Sequence, residues 1–338
     1  MKDFNDLTTG GQFRRFRPVA FKALEQYKLK QVGLTALNHG ENTTYRVDAV
    51  DENGQKQIYM LRLARHDYHQ DDAIHSELLW LDKLAQDPHI NAPVAIPTKQ
   101  GDYITRVEAK GIPYSPRAIL FHWVKGRFHF RHNARSLYRT GKLIAQLHNH
   151  TAQWELPSGF QRLQWDANGL IGPQASWGSI DALKNDLSPE TFERLMEGRE
   201  VVLEKLLSLE KSKDHFGLIH ADLHTGNVVH HNGQACPFDF DDCGMGYHLY
   251  DIAIALGLRT NKAELVKACV KGYRSVRPLS DDLLEFLPAF VAARRLLVIP
   301  WLFKRKNNPE LASAIPGAIQ RAFDALQRYH QQTLVARV

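Results

Sequence analysis

The chain has 338 residues, of which 43% are hydrophobic, 10% aromatic and 24% charged; this globular balance excludes disordered, collagen-like and low-complexity classes and suits about two domains. Forty-three Lys and Arg against 37 Asp and Glu leave a net charge of +6, which fits an anionic ligand but falls short of a nucleic-acid-binding signature. Cys236, Cys243 and Cys269 are an odd set without CxxC spacing, so neither a disulfide framework nor a zinc knuckle is indicated, and a reducing, cytoplasmic setting is expected. The opening segment MKDFNDLTTGGQFRRFR has no apolar stretch of the kind a secretion signal needs, and the apolar run near Leu296 to Phe303 reads as too short to span a bilayer. No membrane anchoring is predicted.

In chain order, TTYRVDAV and QKQIYMLRLA are alternating runs separated by the turn-forming DENG, which predicts a hairpin. DDAIHSELLWLDKLAQD follows with Ile74, Leu78, Leu81 and Ala85 at helical spacing and acids at its start, a helix ending near Pro88. Strand-like runs come next at Tyr103 to Val107 and Ala118 to Val124, then a linker at residues 121–127. Beyond it, helices dominate. Leu137, Ile144 and Leu147 mark one. Pro189 to Lys211 is another, capped by Ser188 and striped by Phe192, Leu195, Met196, Val202, Leu206 and Leu209. Helical patterns also cover LPAFVAARRLLVIPWLF and IPGAIQRAFDALQRYHQQ. The architecture reads as α+β, a small β-rich lobe with one key helix followed by a larger helical lobe.

The most informative stretch is residues 217–244, GLIHADLHTGNVVHHNGQACPFDFDDCG. Asn232-Gly233 between two short β-like runs predicts a two-residue hairpin turn, since both positions tolerate positive φ. That turn would bring Asn227 and Asp239 to the hairpin's open end, with Asp222 in a loop nearby. Carboxylate and amide oxygens of this kind suit Mg²⁺, which takes one or two protein carboxylates along with substrate phosphates. Elsewhere, Arg62 shares a strand face with Ile58 and Met60, and Glu77 shares a helix face with Ile74, Leu78 and Leu81. Leaving either charge buried alone would cost about 3 to 5 kcal/mol, so the two are predicted to pair.

HADLHTGN has the H-x-D-x-x-x-x-N spacing of a kinase catalytic loop, and F-D-F stands where kinases carry D-F-G. With NHGENTTYRV, YMLRLAR, IHSELLWLDKLA, LIHADLHTGNVV, PFDFDDCG and YDIAIAL, the chain resembles the aminoglycoside phosphotransferase and choline kinase-like family from about residue 35 to 300. The resemblance implies a two-lobed protein kinase-like fold. Residues 1–120 would form the nucleotide-binding lobe, 121–127 a hinge, and 128–338 the catalytic and acceptor-binding lobe. It implies ATP and Mg²⁺ as cofactors and a small-molecule hydroxyl acceptor such as an amino alcohol, homoserine-like amino acid, aminoglycoside or sugar.

Carried over by position, Asp222 resembles the base that takes the acceptor's proton, Asn227 and Asp239 the metal ligands, and Asp241 a possible helper. His220 is expected to brace the loop. Arg62 stands where the family's lysine pairs with a helix glutamate, here Glu77, and holds phosphates. The turn with Gly40 would direct backbone N–H groups of Glu41, Asn42 and Thr43 at phosphate oxygens. Backbone groups of His122, Trp123 and Val124 would meet adenine. The short path from Asp239 to Asp251, without A-P-E, favours a small acceptor over a regulated protein kinase, although the family includes protein Ser/Thr kinases.

Rival readings are a metal-dependent hydrolase built on His220, Asp222 and His224, and a catalytically silent nucleotide-binding regulator. Asp251 reads as a helix cap or internal brace. The basic segments near residues 13, 125 and 304 read as solvated surface, and Arg294 and Trp301 as core or edge residues, with an acceptor-lining role for their helix as the alternative.

Overall fold

The computed structural model describes residues 4, 7–40, 42–108, 110–131, 133–257 and 262–335. One unit takes the chain up to Lys125 together with Gly159–Gln161; the other takes Gly126–Ser158 and the chain from Arg162 onward.

The first unit begins with a helix that the sequence reading missed, α1 (Thr9–Leu24), capped by Thr8, whose hydroxyl accepts from the Gly11 N–H. Its adjacent glycines, run of arginines and internal Pro18 hide the helical period. Yet Phe16, Val19, Ala20 and Ala23 bury one face of it. Strands follow at β1 (Lys30–His39), β2 (Thr43–Val50) and β3 (Lys56–Ala64), then α2 (Asp71–Leu84), β4 (Ala95–Ile96), β5 (Thr105–Arg106) and β6 (Arg117–His122). They form one antiparallel sheet in the order β1-β2-β3-β6-β4, with β5 on β6. The β2–β3 hairpin forms as expected because Asp51 accepts the N–H groups of Asn53 and Gln55 at 3.0 and 2.8 Å, closing the DENG turn.

Alternation then sorts β3. Tyr59, Leu61 and Leu63 join α1 in the core, so Arg62 lies on the opposite face of the strand. Two predicted runs are shorter than expected. Tyr103 to Val107 retains only β5, and the run from Ala118 ends at His122, so the first two residues of the expected linker are strand.

The second unit contains β7 (Arg127–Phe128), α3 (Ala134–Ala152), β8 (Leu163–Trp165), α4 (Ala167–Ile171), α5 (Pro189–Leu207), β9 (Phe216–Ile219), β10 (Val228–His231), β11 (Gln234–Pro237) and β12 (Gly244–Tyr247). It ends with α6 (His248–Leu256), α7 (Ala263–Arg274), α8 (Asp281–Leu284), α9 (Leu287–Phe303), α10 (Pro309–Ser313) and α11 (Ile315–Val335). Two three-stranded sheets, β11-β10-β7 and β8-β12-β9, carry the loops discussed below. Helix α5 has the predicted Ser188 cap, its hydroxyl accepting from Thr191 N–H. Helix α3 packs so closely on α7 that a Cβ at Gly141 would collide with the Cys269 carbonyl, and one at Gly272 with the Tyr138 carbonyl.

The late apolar run is also longer than the sequence reading had it. Asp281–Phe303 is long and apolar enough by composition to cross a membrane, but more than half of its most apolar 18-residue window is buried within this fold. A helix enclosed by α5, α6 and α11 must be apolar on most sides.

Candidate active site

In the second unit, the loop from β9 to β10 carries Asp222 and Asn227. The Asn232-Gly233 turn is as predicted, with φ of 46° and 83°, and pairs Val228 with Pro237. One step outward, the Phe238 N–H donates to the Asn227 carbonyl at 3.1 Å, which sets Asp239 next to Asn227 at the hairpin's open end. Asp239 has φ of 61°, a left-handed turn that Asp tolerates better than most residues. Its carboxylate is exposed, and its charge reaches His224.

The Asn227 amide nitrogen donates to Asp222 twice, to Oδ2 at 2.8 Å and to the backbone carbonyl at 3.0 Å. A carboxylate only accepts, so this contact fixes which end of the amide is nitrogen and leaves the amide oxygen as the ligand atom. Amide oxygen plus exposed carboxylate is a hard-oxygen donor set that fits Mg²⁺. Among the described residues no cluster of three His, Cys, Asp or Glu could hold a metal ion. Asp241 is buried and its carbonyl receives Arg162.

Every oxygen of Asp222 has a partner. Oδ1 accepts from Arg294 Nη2 at 2.6 Å, while Oδ2 faces both Asn227 and His224 Nε2, the latter at 3.4 Å. Burial pushes this carboxyl up, but the charges of His224 and Arg294 prevail and hold it below the usual range. His224 titrates above its ordinary value, because the Asp222 charge outweighs its burial.

His220 braces the loop, as expected. Its Nε2 donates to the Phe238 carbonyl at 3.2 Å and its Nδ1 accepts the Asp222 N–H at 3.3 Å. With both ring nitrogens used and the ring held neutral by burial, it is no metal ligand, which removes the hydrolase reading's first ligand. Asp251 braces the same turn from α6, accepting from Ala221 N–H at 2.7 Å, His220 N–H at 3.2 Å and His148 Nε2 at 3.1 Å.

Arg294 corrects the sequence reading. It is no edge residue: besides Asp222, it donates to the Tyr250 hydroxyl at 3.2 Å and lies 4.5 Å over the Trp177 ring. Trp177 in turn donates to Asp242 Oδ1 at 3.3 Å and packs on Trp301. Two adjacent arginines inside an otherwise apolar helix were the available signal.

In the first unit, Arg62 and Glu77 form the predicted pair as a fork, Nη1 to Oε1 at 2.7 Å and Nη2 to Oε2 at 2.8 Å, with side chains only 3% and 1% exposed. The turn at Gly40 precedes β2. Glu41 lies outside the described residues. The Asn42 side chain accepts from Arg65 N–H at 3.1 Å, and Gly40 N–H is spent on the Asn42 carbonyl at 3.2 Å. Thr43 already belongs to β2, paired with His39 and Leu63, and its hydroxyl meets the His39 ring at 2.7 Å.

At the end of β6, the N–H groups of His122 and Trp123 are taken by the carbonyls of Val94 and Ile58, at 2.8 and 3.3 Å. Of the backbone groups expected to meet a base here, the N–H donors of His122 and Trp123 are therefore spent within the sheet.

The family model described as "Phosphotransferase enzyme family" matches residues 33–286. Amicoumacin kinase of Bacillus subtilis is 27% identical over 180 residues, so the match spans about half of each protein, 49% of this chain and 50% of that one. A homoserine kinase of Agrobacterium fabrum is 28% identical over 210 residues, 59% of each. Among solved structures, a microcompartment-associated aminopropanol kinase aligns with a TM-score of 0.80 and 29% identity over 93% of this chain and 97% of that one. The amicoumacin kinase hAmiN, in complex with AMP-PNP, Ca²⁺ and Ami, aligns at 0.76 and 22% identity over 94% and 96%. That likeness shows the kinase-like two-lobed α+β fold.

Proposed function

This chain belongs to the phosphotransferase enzyme family, and we propose that it transfers the γ-phosphoryl group of ATP, with Mg²⁺, to a hydroxyl of a small-molecule acceptor. One observation carries the reading: the Asn227 amide spends its nitrogen on Asp222 and keeps its oxygen for a cation beside Asp239. A structural turn asparagine has no need of that division, whereas a phosphoryl-transfer site needs a base and a metal ligand locked to each other. The named relatives, kinases of aminopropanol, amicoumacin and homoserine, support a small acceptor.

In this reading Asp222 accepts the acceptor's proton, and Asn227 and Asp239 hold the divalent ion, which when bound neutralises charge on the phosphates. Arg62, locked by Glu77, supplies positive charge toward the nucleotide phosphates, with Gly40, Asn42 and Thr43 shaping the turn nearby. His122, Trp123 and Val124 offer the base their carbonyls and one N–H.

The test is acceptor-stimulated ADP formation from Mg-ATP across amino alcohols, hydroxy-amino acids, aminoglycosides and sugars, with Asp222→Asn as the control. The variant should keep its nucleotide-induced rise in melting temperature and lose transfer. Absence of acceptor-stimulated ADP release across the panel, or undiminished transfer by the variant, refutes the assignment.

A further inference from the structure

The acceptor must bring a hydroxyl to Asp222, and Asp222 Oδ1 is bonded to Arg294 Nη2 at 2.6 Å. Any molecule that reaches the base therefore comes within reach of a guanidinium. That cation is fixed in place. Its side chain is 14% exposed, Tyr250 takes a second N–H at 3.2 Å, and the Trp177 ring covers one face at 4.5 Å. A guanidinium has five N–H donors; these two bonds leave three for an incoming group.

The charge of Asp242 also acts on Arg294, while Asp242 Oδ1 accepts the Trp177 N–H. A hydroxy-amino acid and the amino alcohol of the same skeleton carry the same ammonium group, so the carboxylate alone tells them apart. A carboxylate a few bonds from the reacting hydroxyl would find a fork that matches its geometry.

We propose that Arg294 is the acceptor-selecting residue of this site, and that it selects hydroxyl acceptors bearing a carboxylate, a hydroxy-amino acid or hydroxy acid, over the amino alcohol of the same skeleton. This rests on the phosphotransferase reading above.

The experiment uses the full chain with Mg-ATP and matched pairs of acceptors that differ by one carboxylate: L-serine with ethanolamine, L-threonine with 1-aminopropan-2-ol, L-homoserine with 3-aminopropan-1-ol. The readout is kcat/KM for each member. In the unaltered protein the carboxylate member of the best pair should be preferred by roughly 10- to 100-fold, the size of one charge-assisted hydrogen bond. Arg294→Gln should bring that ratio toward one, and Arg294→Lys should restore part of it. A ratio within a pair is insensitive to a general loss of activity or folding that both acceptors share.

Equal turnover of the two members, or preference for the amino alcohol, overturns the inference and leaves phosphoryl transfer standing. A preference that survives in Arg294→Gln overturns it equally. Failure of the unaltered chain to turn over any alcohol overturns the reading on which it rests, and the inference with it.

Discussion

Asp251 sits at zero exposure and accepts three hydrogen bonds, from Ala221 N–H, His220 N–H and His148 Nε2. Ala221 is held at φ of 64°, a left-handed conformation that costs a non-glycine residue about 1 to 2 kcal/mol, and the 2.7 Å bond to Asp251 keeps it there. Asp251→Ala strands three buried donors at about 1 to 3 kcal/mol each. Burial pushes the Asp251 carboxyl up to about 6, so removing its charge at pH 7 returns about 3 kcal/mol of that loss. The net expectation is a destabilisation of about 3 kcal/mol, with loss of transfer as the 220–222 turn relaxes and Asp222 shifts.

The same carboxyl has a pH signature. Its folded pKa is above the unfolded value of about 3.9, so its stabilisation is complete below about pH 4 and is lost as pH rises through 6, a drop of about 3 kcal/mol. Asp251→Asn should remove that slope. Urea unfolding from pH 4 to 7 with kcat at pH 7 measures both. A loss below about 1 kcal/mol in Asp251→Ala with unchanged kcat, or the same pH slope in Asp251→Asn, refutes the reasoning.

Replacing Glu77 with Gln leaves a guanidinium at 3% exposure without its counter-charge; breaking such a buried pair costs about 3 to 5 kcal/mol, read by denaturant unfolding, and a cost under 1 kcal/mol would mean the pair is solvated. Since His224 and Arg294 hold Asp222 below the usual carboxylate range against its burial, the acidic limb of kcat/KM should lie below about pH 4, and should move up in Arg294→Gln. Asn227→Ala and Asp239→Ala should each raise the Mg²⁺ concentration needed for half-maximal transfer at least tenfold, roughly one lost ligand; an unchanged Mg²⁺ dependence would remove that residue from the metal site.

What could be read from the sequence was whatever a short spacing controls. Asn232-Gly233 fixes a turn, the turn fixes a register, and the register sets Asn227 beside Asp239 without reference to the rest of the fold. Arg62 and Glu77 were legible for a different reason, as charges in apolar patterns that had to find each other. Arg294 follows the same rule, but a helix as apolar as α9 suggests core and its partner lies 72 positions away. Helix α1 was hidden since its buried face is interleaved with arginines and a proline. The loss of the His122 and Trp123 donors to Val94 and Ile58 depends on strand register across the sheet, which local pattern does not encode.

The loop from His220 to Asn227 thus carries one carboxyl and is braced by another, with opposite fates. Asp251, at zero exposure, has neutral donors around it, burial dominates, and its pKa rises; Asp222, with its side chain 14% exposed, has a guanidinium and an imidazole on its oxygens, and its pKa falls. A base made weaker by its neighbours would be a poor choice if the reaction depended on pulling a proton from the alcohol early. Phosphoryl transfer through a loose transition state makes little such demand, because the alcohol sheds its proton late, after it has become acidic. What the step does need is an acceptor hydroxyl aimed in line, and a carboxylate with Oδ1 and Oδ2 each held by named donors provides that aim. The cations on Asp222 are therefore consistent with a site that gains rate from position, and they make the orientation of this side chain the quantity on which turnover depends.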